Sequence, residues 1–437
     1  MAANESYLKH IWHPCTQMKD LEQFPPFDVA GAAGSRITLR DGSQLIDAIS
    51  SWWCKSLGHQ HPALRRALFE QAEQFEHVIF ANTTNEVIVE LSAALAGLSP
   101  FLNKVSYASD GSSAVEMAMK MSLHARQNKG DKQRKHFLAL ENGYHGETLA
   151  TLSVSDCGIY RDPYAAALMP VTFLSPLPYV SSRADPMWEN CEQQWRVIEK
   201  KLLPYAETAT AIILEPILQG AGGMRVYSQD FLRRLRQWTE VHDVHLIADE
   251  IMTGIGRTGK MLACEHAHIE PDFLCLSKGL TSGWLPMSVM LTRQSIYDLF
   301  YDDYANKKSF LHSHTHSGNV LAAKIALQVL ITMREEKILE RVEPLGQLMR
   351  SYMDEIAQST QKIINVRSIG AVVAADLVCD DPSRRLGYEV FQRAASLGAL
   401  LRPLGNTIYW LPPLNIPFCD LAELKQITEQ ALLLVTR

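Results

Sequence analysis

The sequence lacks the features that mark nucleic-acid-binding and membrane proteins. Its 437 residues carry a formal net charge of −6, and the basic residues form no stripe, so we expect no nucleic-acid partner. No apolar run is long enough to cross a bilayer. Residues 1–6 have neither the basic nor the apolar region of a secretory signal. These absences predict a cytoplasmic protein that contacts neither nucleic acid nor membrane.

The eight cysteines show no pairing pattern. They are scattered along the chain and none forms a C-x-x-C pair, so neither a zinc site nor a disulfide framework is indicated. Several lie in apolar runs, as buried free thiols do. We therefore expect reduced cysteines and no bound metal.

Length and pattern predict an α/β protein of two or three domains. The composition, 47% hydrophobic and 21% charged, is ordinary for a globular protein. Residues 1–60 indicate an N-terminal arm and part of a small domain. Residues 61–325 alternate helical patterns with short apolar runs, which predicts a large domain with a mostly parallel sheet. Residues 326–437 indicate the rest of a small α+β domain, and a long helix over about residues 320–341 leads into it.

Three apolar, strand-like segments run directly into a charged residue, namely Glu215, Asp249 and Lys278. Open α/β sheets bind their ligands at the carboxyl ends of their strands, so we expect two carboxylates and an amine at one rim. An amine can hold pyridoxal 5′-phosphate covalently, and an acid can keep its ring nitrogen protonated. A buried ion pair between Asp249 and Lys278 is the alternative.

Two loops next to predicted strands suit an anion and a planar ring. Gly111, Ser112 and Ser113 lie in a turn that opens a helix, where N–H groups and hydroxyls can bind an anion. A plain N-cap is the alternative. Tyr144 lies in a glycine-flanked loop, where an aromatic side chain can lie flat against a ring or simply cover the loop.

Two further motifs suggest ligand sites of other kinds. Residues 254–259 satisfy G-x-G-x-x-G after a strand, but Met261 stands where a phosphate loop has Ser or Thr, so we expect no nucleotide. His312, His314 and His316 are spaced by two and would share one face of a strand, as metal ligands can. No Asp, Glu or Cys close by completes such a site, which favours loop histidines near an anion.

Taken together, these residues resemble the class III (ω-) aminotransferases of fold type I. The signature is L-I-A-D-E-I-M-T-G-I-G-R-T-G at residues 246–259, followed by Lys278. In that family the glycine motif is a structural loop. The resemblance covers nearly the whole chain. It implies a pyridoxal 5′-phosphate enzyme with a large, mostly parallel-sheet domain, a smaller α+β domain built from both termini, and a homodimer with shared active sites.

The resemblance implies a role for each candidate cofactor residue. Lys278 would hold the cofactor and shuttle protons, and Asp249 would pair with the ring nitrogen. The remaining contacts would come from Gly111, Ser112 and Ser113 on the phosphate, Tyr144 and Ile251 on the two ring faces, and His314 with Thr315 on the phosphate of the neighbouring subunit.

The resemblance also implies substrate contacts. Arg402 would bind the carboxylate of a keto substrate, and Glu215 would lie near that arginine. Cys15 stands where some family members have a tyrosine near the substrates, and a thiol cannot reproduce the hydrogen bond of a phenol. The substrate pocket would be lined by Trp52, Trp53, Tyr144, Ser313 and Tyr409.

Finer features favour one activity within the family. Residues 10–18, 50–53 and 215–224 are similar to members that act in biotin biosynthesis, which implies amino transfer from S-adenosylmethionine to 8-amino-7-oxononanoate. Another ω-amino-acid transaminase, or lysine as the donor to the same acceptor, is an alternative. An aminomutase, which recycles one bound substrate, and a nucleotide-binding regulator are alternatives from other classes.

Overall fold

The computed structural model describes residues 9–381 and 383–435. Residues 1–8 of the predicted arm lie outside the described residues, as do residues 382, 436 and 437 of the predicted C-terminal part. Within these described stretches, no helix is both long enough and apolar enough to span a membrane.

A sheet of seven strands forms the centre of the molecule. The strand Ser288–Thr292 runs antiparallel to both of its neighbours, and the other neighbouring pairs are parallel. This arrangement agrees with the predicted, mostly parallel sheet. In spatial order the strands are Lys104–Ala108, Ser288–Thr292, Phe273–Leu276, His245–Asp249, Ala209–Leu214, His136–Leu140 and Val171–Leu174.

Alternating side chains of the central strands pack into two separate cores. All six residues of Ala209–Leu214 are buried, as expected for a parallel strand with helices on both faces. Ile213 and Ile247 face the core under the helix Gly111–Lys129, whereas Ile212 and Leu246 belong to the other core. By the same alternation, Asp249 lies on the side of the helix Gly111–Lys129.

The helix Gly111–Lys129 is fixed at both ends by local sequence. Asp110 is its N-cap, and the carboxylate accepts from the backbone N–H of Ser113 at 2.9 Å. Gly130 ends the helix with a φ of 88°, a left-handed conformation that favours glycine. The helix begins shortly after the strand Lys104–Ala108 ends. The N–H groups of the first helical turn, which have no partner inside the helix, therefore lie at the rim of the sheet.

The described residues also form α-helices and short 3₁₀ helices between the strands. The α-helices are Ser50–Trp53, Pro62–Ala72, Glu86–Ala96, Gly111–Lys129, Leu149–Ser153, Pro186–Glu189, Glu192–Leu202, Gln229–Val241, Gln294–Tyr297, Val320–Glu335, Ile338–Thr360, Leu386–Leu397 and Phe418–Val435. The 3₁₀ helices are Met18–Glu22, Gly158–Tyr160, Asp162–Ala167, Leu203–Tyr205, Ala263–Ala267, Lys278–Thr281 and Tyr304–Asn306.

The predicted helix over about residues 320–341 is wrong in its extent. It divides into Val320–Glu335 and Ile338–Thr360. Lys337 separates the two helices with a φ of 50°, and one left-handed residue is enough to redirect the chain.

Three smaller sheets complete the fold. In the first, Ala399–Leu400 pairs in parallel with Gln44–Asp47, which joins the two ends of the chain as predicted. The strands of the smaller sheets are Val29–Ala33, Arg36–Leu39, Gln44–Asp47 and Ala399–Leu400 in the first, Ile363–Ile369, Val372–Leu377 and Thr407–Trp410 in the second, and Tyr179–Val180, Arg225–Tyr227 and Leu218–Gln219 in the third.

Candidate active site

Glu215, Asp249 and Lys278 lie at one rim of the large sheet. Asp249 is the last residue of its strand and is in register with Cys275 of the parallel neighbour. Glu215 directly follows the parallel strand on the other side. Lys278 comes two residues after the strand that contains Cys275. Because parallel strands end at the same edge, the structure brings the three charged side chains together.

A buried histidine holds the carboxylate of Asp249. His145 Nδ1 lies 2.8 Å from Asp249 Oδ2, and the two side chains are 1% and 4% exposed. The backbone N–H of Ile251 donates to the other oxygen at 3.1 Å. Since a carboxylate only accepts, His145 carries a proton on Nδ1. No sequence pattern assigns His145 a role, although it stands beside Tyr144 in a glycine-flanked loop after a predicted strand.

Lys278 has the surroundings of a nucleophilic amine. Burial lowers the pKa of its ammonium group, while Asp249 and Glu215 oppose that shift. Its Nζ lies 4.7 Å from the centre of the Trp53 ring. In the described part of the chain no ion pair joins Lys278 to Asp249, whose partner is a histidine. A lowered pKa enlarges the neutral fraction of the amine, which is the form that attacks a carbonyl carbon.

The start of the helix Gly111–Lys129 forms a close-packed cradle. A Cβ at Gly111 would lie 2.9 Å from Ile251 Cδ1. Gly146 has a φ of 128°, and a Cβ there would lie 2.1 Å from Ser112 Oγ. Glycine is required at Gly146, and a side chain at Gly111 would have to displace Ile251. The cradle therefore exposes backbone N–H groups and a hydroxyl at a helix N-terminus, which fits the phosphate of pyridoxal 5′-phosphate.

Ser113 lies in the cradle, but its donors are already used. Its backbone N–H and its hydroxyl donate to the two carboxylate oxygens of Asp110, at 2.9 Å and 2.8 Å. The N-cap of this helix is therefore Asp110, and Ser113 is the residue that the N-cap binds. Gly111 and Ser112 are the cradle residues that keep donors for an anion.

Glu215 braces the loop that carries Tyr144. It accepts from the backbone N–H groups of Tyr144 at 3.0 Å and Gly220 at 2.9 Å. Burial raises the pKa of Glu215 to about 7, nearby His145 opposes the shift, and Asp249 adds to it. Within residues 9–381 and 383–435, no hydrogen bond or ion pair joins Glu215 to Arg402. The contacts that Glu215 does make hold the backbone of the loop that carries Tyr144.

Three aromatic residues and one arginine line a further part of the site, which is buried at Trp53 and Tyr409 and exposed at Trp52. The Arg402 guanidinium lies 4.4 Å from the ring centre of Trp52, and it donates to the backbone carbonyl of Cys15 at 3.2 Å. Trp53 Nε1 donates to the Tyr409 hydroxyl at 2.9 Å. Trp52 is 43% exposed, whereas Trp53 and Tyr409 are buried. Arg402 makes no ion pair within the described residues, so its charge is available for a substrate carboxylate.

The segment with Ser313, His314 and Thr315 is linked to the helix Gly111–Lys129. It is a loop joined to Lys120 through His312, with Lys120 Nζ 2.8 Å from His312 Nδ1. Lys120 lies nine residues along the helix from Gly111, or about 13 Å at 1.5 Å per residue. The described residues contain no cluster of three or more side chains able to hold a metal.

The glycine motif at residues 254–259 is a turn-rich loop. Arg257 in this loop is 3% exposed and donates to the carbonyls of Ala371 at 3.2 Å and Pro412 at 2.7 Å. The motif therefore ties the loop after Asp249 to the C-terminal part of the chain.

An amine, a buried carboxylate and a glycine cradle at one sheet rim are the groups that amino transfer through a pyridoxal cofactor needs. Fold and site together define an aminotransferase. The chain matches the aminotransferase class-III family over residues 17–432, and it belongs to that family. The resemblance stated from the sequence is thereby confirmed.

Relatives that share one name are similar to this chain over almost their whole length. The chain is 38% identical to the adenosylmethionine-8-amino-7-oxononanoate aminotransferase of Helicobacter pylori over 410 residues, which is 93% of this chain and 92% of that protein. It is 36% identical to the protein of the same name from Synechococcus elongatus over 421 residues, covering 95% and 96% of the two chains.

Solved structures confirm the predicted fold. The crystal structure of the adenosylmethionine-8-amino-7-oxononanoate aminotransferase from Methanocaldococcus jannaschii matches with a TM-score of 0.93 at 28% identity, covering 100% of this chain and 99% of that one. A PLP-bound amine transaminase from an uncultivated Pseudomonas species matches with a TM-score of 0.89 at 29% identity, covering 97% and 98%.

Proposed function

We propose that this aminotransferase moves an amino group from S-adenosylmethionine to 8-amino-7-oxononanoate, giving 7,8-diaminononanoate for biotin biosynthesis. The observation that carries the proposal is similarity over 93–98% of this chain to relatives that share one name, five of them at 33–38% identity. Pyridoxal 5′-phosphate is the cofactor, because the amine, carboxylate and cradle of this chain fit it and a PLP-bound transaminase has the same fold.

Lys278 and Asp249 carry the proton chemistry. When bound, the cofactor supplies a ring that withdraws electrons from the carbon that loses a proton. Asp249, which His145 holds in place, keeps the ring nitrogen protonated because a carboxylate favours a neighbouring positive charge. Lys278 binds the cofactor and then takes up and returns the proton as a neutral amine, the form that its lowered pKa favours.

The cradle and two flat side chains orient the cofactor. Gly111 and Ser112 bind the phosphate, and the dipole of a helix of 19 residues favours the anion. Ser113 completes the turn, since its own donors face the N-cap. Tyr144 and Ile251 pack on the two faces of the ring. The backbone N–H of Tyr144 donates to Glu215, and this hydrogen bond holds Tyr144 in place.

Arg402 and the aromatic residues bind the substrates. Arg402 takes the carboxylate of 8-amino-7-oxononanoate, because a guanidinium can bind a carboxylate through two parallel hydrogen bonds. Trp52 offers an exposed ring on which an adenine can stack and a sulfonium can be attracted. Trp53 and Tyr409, joined by their hydrogen bond, form the buried wall beside Lys278.

The active site is shared between two copies of the chain. Residues 313–315 are linked through His312 to Lys120, nine residues after Gly111 on the helix, which supports a role of this segment outside the cradle of its own chain. In a homodimer, His314 and Thr315 bind the phosphate in the neighbouring subunit and Ser313 borders its substrate pocket.

Compartment and domain boundaries belong to the same proposal. All eight cysteines are free thiols, which supports the reducing cytoplasm as the place of action.

The division into residues 1–60, 61–325 and 326–437 is supported by the pairing of Gln44–Asp47 with Ala399–Leu400, because that pairing unites the first and third parts.

Donor tests on the cofactor-loaded enzyme check the proposal. Each donor is mixed separately with the enzyme, without an acceptor, and the visible absorbance of the cofactor is followed. We expect S-adenosylmethionine to remove this absorbance and lysine and glutamate to leave it. The opposite result would show that the donor is wrong while the aminotransferase assignment stands. Trp52→Leu should weaken the response to S-adenosylmethionine more than the response to a small ω-amine.

A further inference from the structure

Lys120, His312 and His314 form a chain of hydrogen bonds with a fixed direction. Lys120 Nζ lies 2.8 Å from His312 Nδ1, and His312 Nε2 lies 2.9 Å from His314 Nε2. An ammonium group only donates, so His312 Nδ1 accepts and the proton of His312 lies on Nε2. His312 Nε2 then donates to His314 Nε2, which leaves the proton of His314 on Nδ1.

Packing and charge keep His312 in this neutral form. Its ring stacks on Phe310 with 5.7 Å between centroids and 14° between planes. Lys120 Nζ lies 6.0 Å from the centre of the same Phe310 ring. Burial, Lys120 and His314 lower the pKa of His312, and Glu116 opposes that shift. Because Nδ1 faces an ammonium group, a second proton has no place on this imidazole.

The relay ends in a donor that the chain itself does not use. His314 Nδ1 has no hydrogen-bond partner within the described residues, and the backbone N–H of His314 already donates to Ser317 Oγ at 3.2 Å. Thr315 is exposed, and its carbonyl accepts from His77 Nε2 at 2.9 Å. Within the described residues, the imidazole N–H of His314 and the hydroxyl of Thr315 thus remain available to a partner.

We propose that Lys120 is a positioning residue, which through His312 fixes His314 as the tautomer that donates from Nδ1 to the cofactor phosphate in the neighbouring subunit. The inference rests on the proposed function, in which residues 314 and 315 reach that phosphate. The donor tautomer suits an oxyanion, whereas the other tautomer would turn a lone pair toward the anion. Lys120 thus strengthens phosphate binding without touching the phosphate.

Binding of pyridoxal 5′-phosphate to the cofactor-free dimer, measured by equilibrium dialysis, tests the relay. Lys120→Met keeps the side-chain length but removes the donor, so cofactor binding should weaken by about 3- to 10-fold, part of the loss expected for a hydrogen bond to a charged group. Lys120→Arg should restore binding. Lys129→Met is the matched control, since Lys129 lies on the same helix and pairs with the exposed Asp243, and it should leave binding unchanged.

A double-mutant cycle shows whether Lys120 acts through His314. In the His314→Ala background, Lys120→Met should have no further effect, because residues acting in series are not additive. Nitrogen-15 spectra of histidine-labelled holoenzyme give a second readout. They should show the His314 proton on Nδ1 in the wild type and a redistribution to Nε2 in Lys120→Met.

The possible contrary results distinguish a failure of the relay from a failure of the proposed function. A full effect of Lys120→Met in the His314→Ala background, or an unchanged tautomer, would overturn the relay. The relay also falls if His314→Ala and Thr315→Val leave cofactor binding unchanged, although the aminotransferase activity then stands. A wild-type protein that does not bind pyridoxal 5′-phosphate would overturn the proposed function itself.

Discussion

Replacing Asp249 by asparagine removes the negative charge and keeps nearly the same side-chain shape, so it tests what the charge contributes to the reaction. In the structure the two carboxylate oxygens accept from His145 Nδ1 at 2.8 Å and from Ile251 N at 3.1 Å. An amide has one oxygen, so it serves one donor and presents its NH₂ group to the other. The N–H of Ile251 is fixed, but His145 can move its proton to Nε2 and accept from the amide. The variant should therefore fold with a loss of only about 1 kcal/mol.

The loss of rate should be much larger than the loss of stability. The Asp249 side chain is 4% exposed, so its charge acts where water screens little. Removing one preorganised polar group from an active site costs on the order of 10²- to 10³-fold in kcat. We expect Asp249→Asn to lose about 100-fold or more in kcat, by the same reasoning, while the folded fraction is retained.

Asp272 offers a matched control for this experiment. It is also buried, but it precedes its strand and so lies at the opposite rim, where it accepts from Arg236 Nη1 at 2.7 Å and Leu246 N at 2.8 Å. Asp272→Asn should lower the thermal midpoint and leave kcat per folded molecule unchanged. The reasoning is refuted if Asp249→Asn keeps kcat within about 3-fold of the wild type, or if both variants lose equal activity.

Three further substitutions test other parts of the site. Lys278→Ala should abolish turnover, and borohydride should no longer fix the cofactor covalently to the chain. Full turnover of this variant would disprove the role of Lys278. Arg402→Ala should slow the keto-acid half-reaction by about 10-fold or more, while the donor half-reaction changes less; equal damage to both would count against this role. Burial raises the pKa of Glu215 from its ordinary value of 4.5 to about 7. Between these two pH values the folded state holds a proton that the unfolded state has released, so the free energy of unfolding falls as pH rises through this range. Glu215→Gln should therefore lose less thermal stability than the wild type between about pH 5 and pH 8; parallel curves would argue against the shifted pKa.

The position of the site followed from sequence because strand ends are local signals. An apolar run that stops at Asp249 or Lys278 predicts both a buried strand and its carboxyl end, and parallel strands bring such ends together. The pairing of His145 with Asp249 could not be read in the same way, since the partners are 104 residues apart in sequence. Only the folded sheet determines which loop lies over which strand end.

Structural details that depend on a single backbone dihedral angle or on a competing hydrogen bond could not be predicted from the sequence either. The break at Lys337 requires a left-handed lysine, and no residue type there signals it. Ser113 is a sequence candidate for the phosphate, yet a neighbouring carboxylate takes its donors. Glu215 lies beside the backbone of Tyr144 because a loop folds back over it, which apolar periodicity does not encode.

Amino transfer measured over a matrix of donors and acceptors tests the central claim most directly. The donors are S-adenosylmethionine, lysine, glutamate and a simple ω-amine, and the acceptors are 8-amino-7-oxononanoate and small keto acids. The account predicts the highest kcat/KM for S-adenosylmethionine with 8-amino-7-oxononanoate, with 7,8-diaminononanoate as the product. Efficient turnover of another pair, with no diaminononanoate formed from this one, would contradict it.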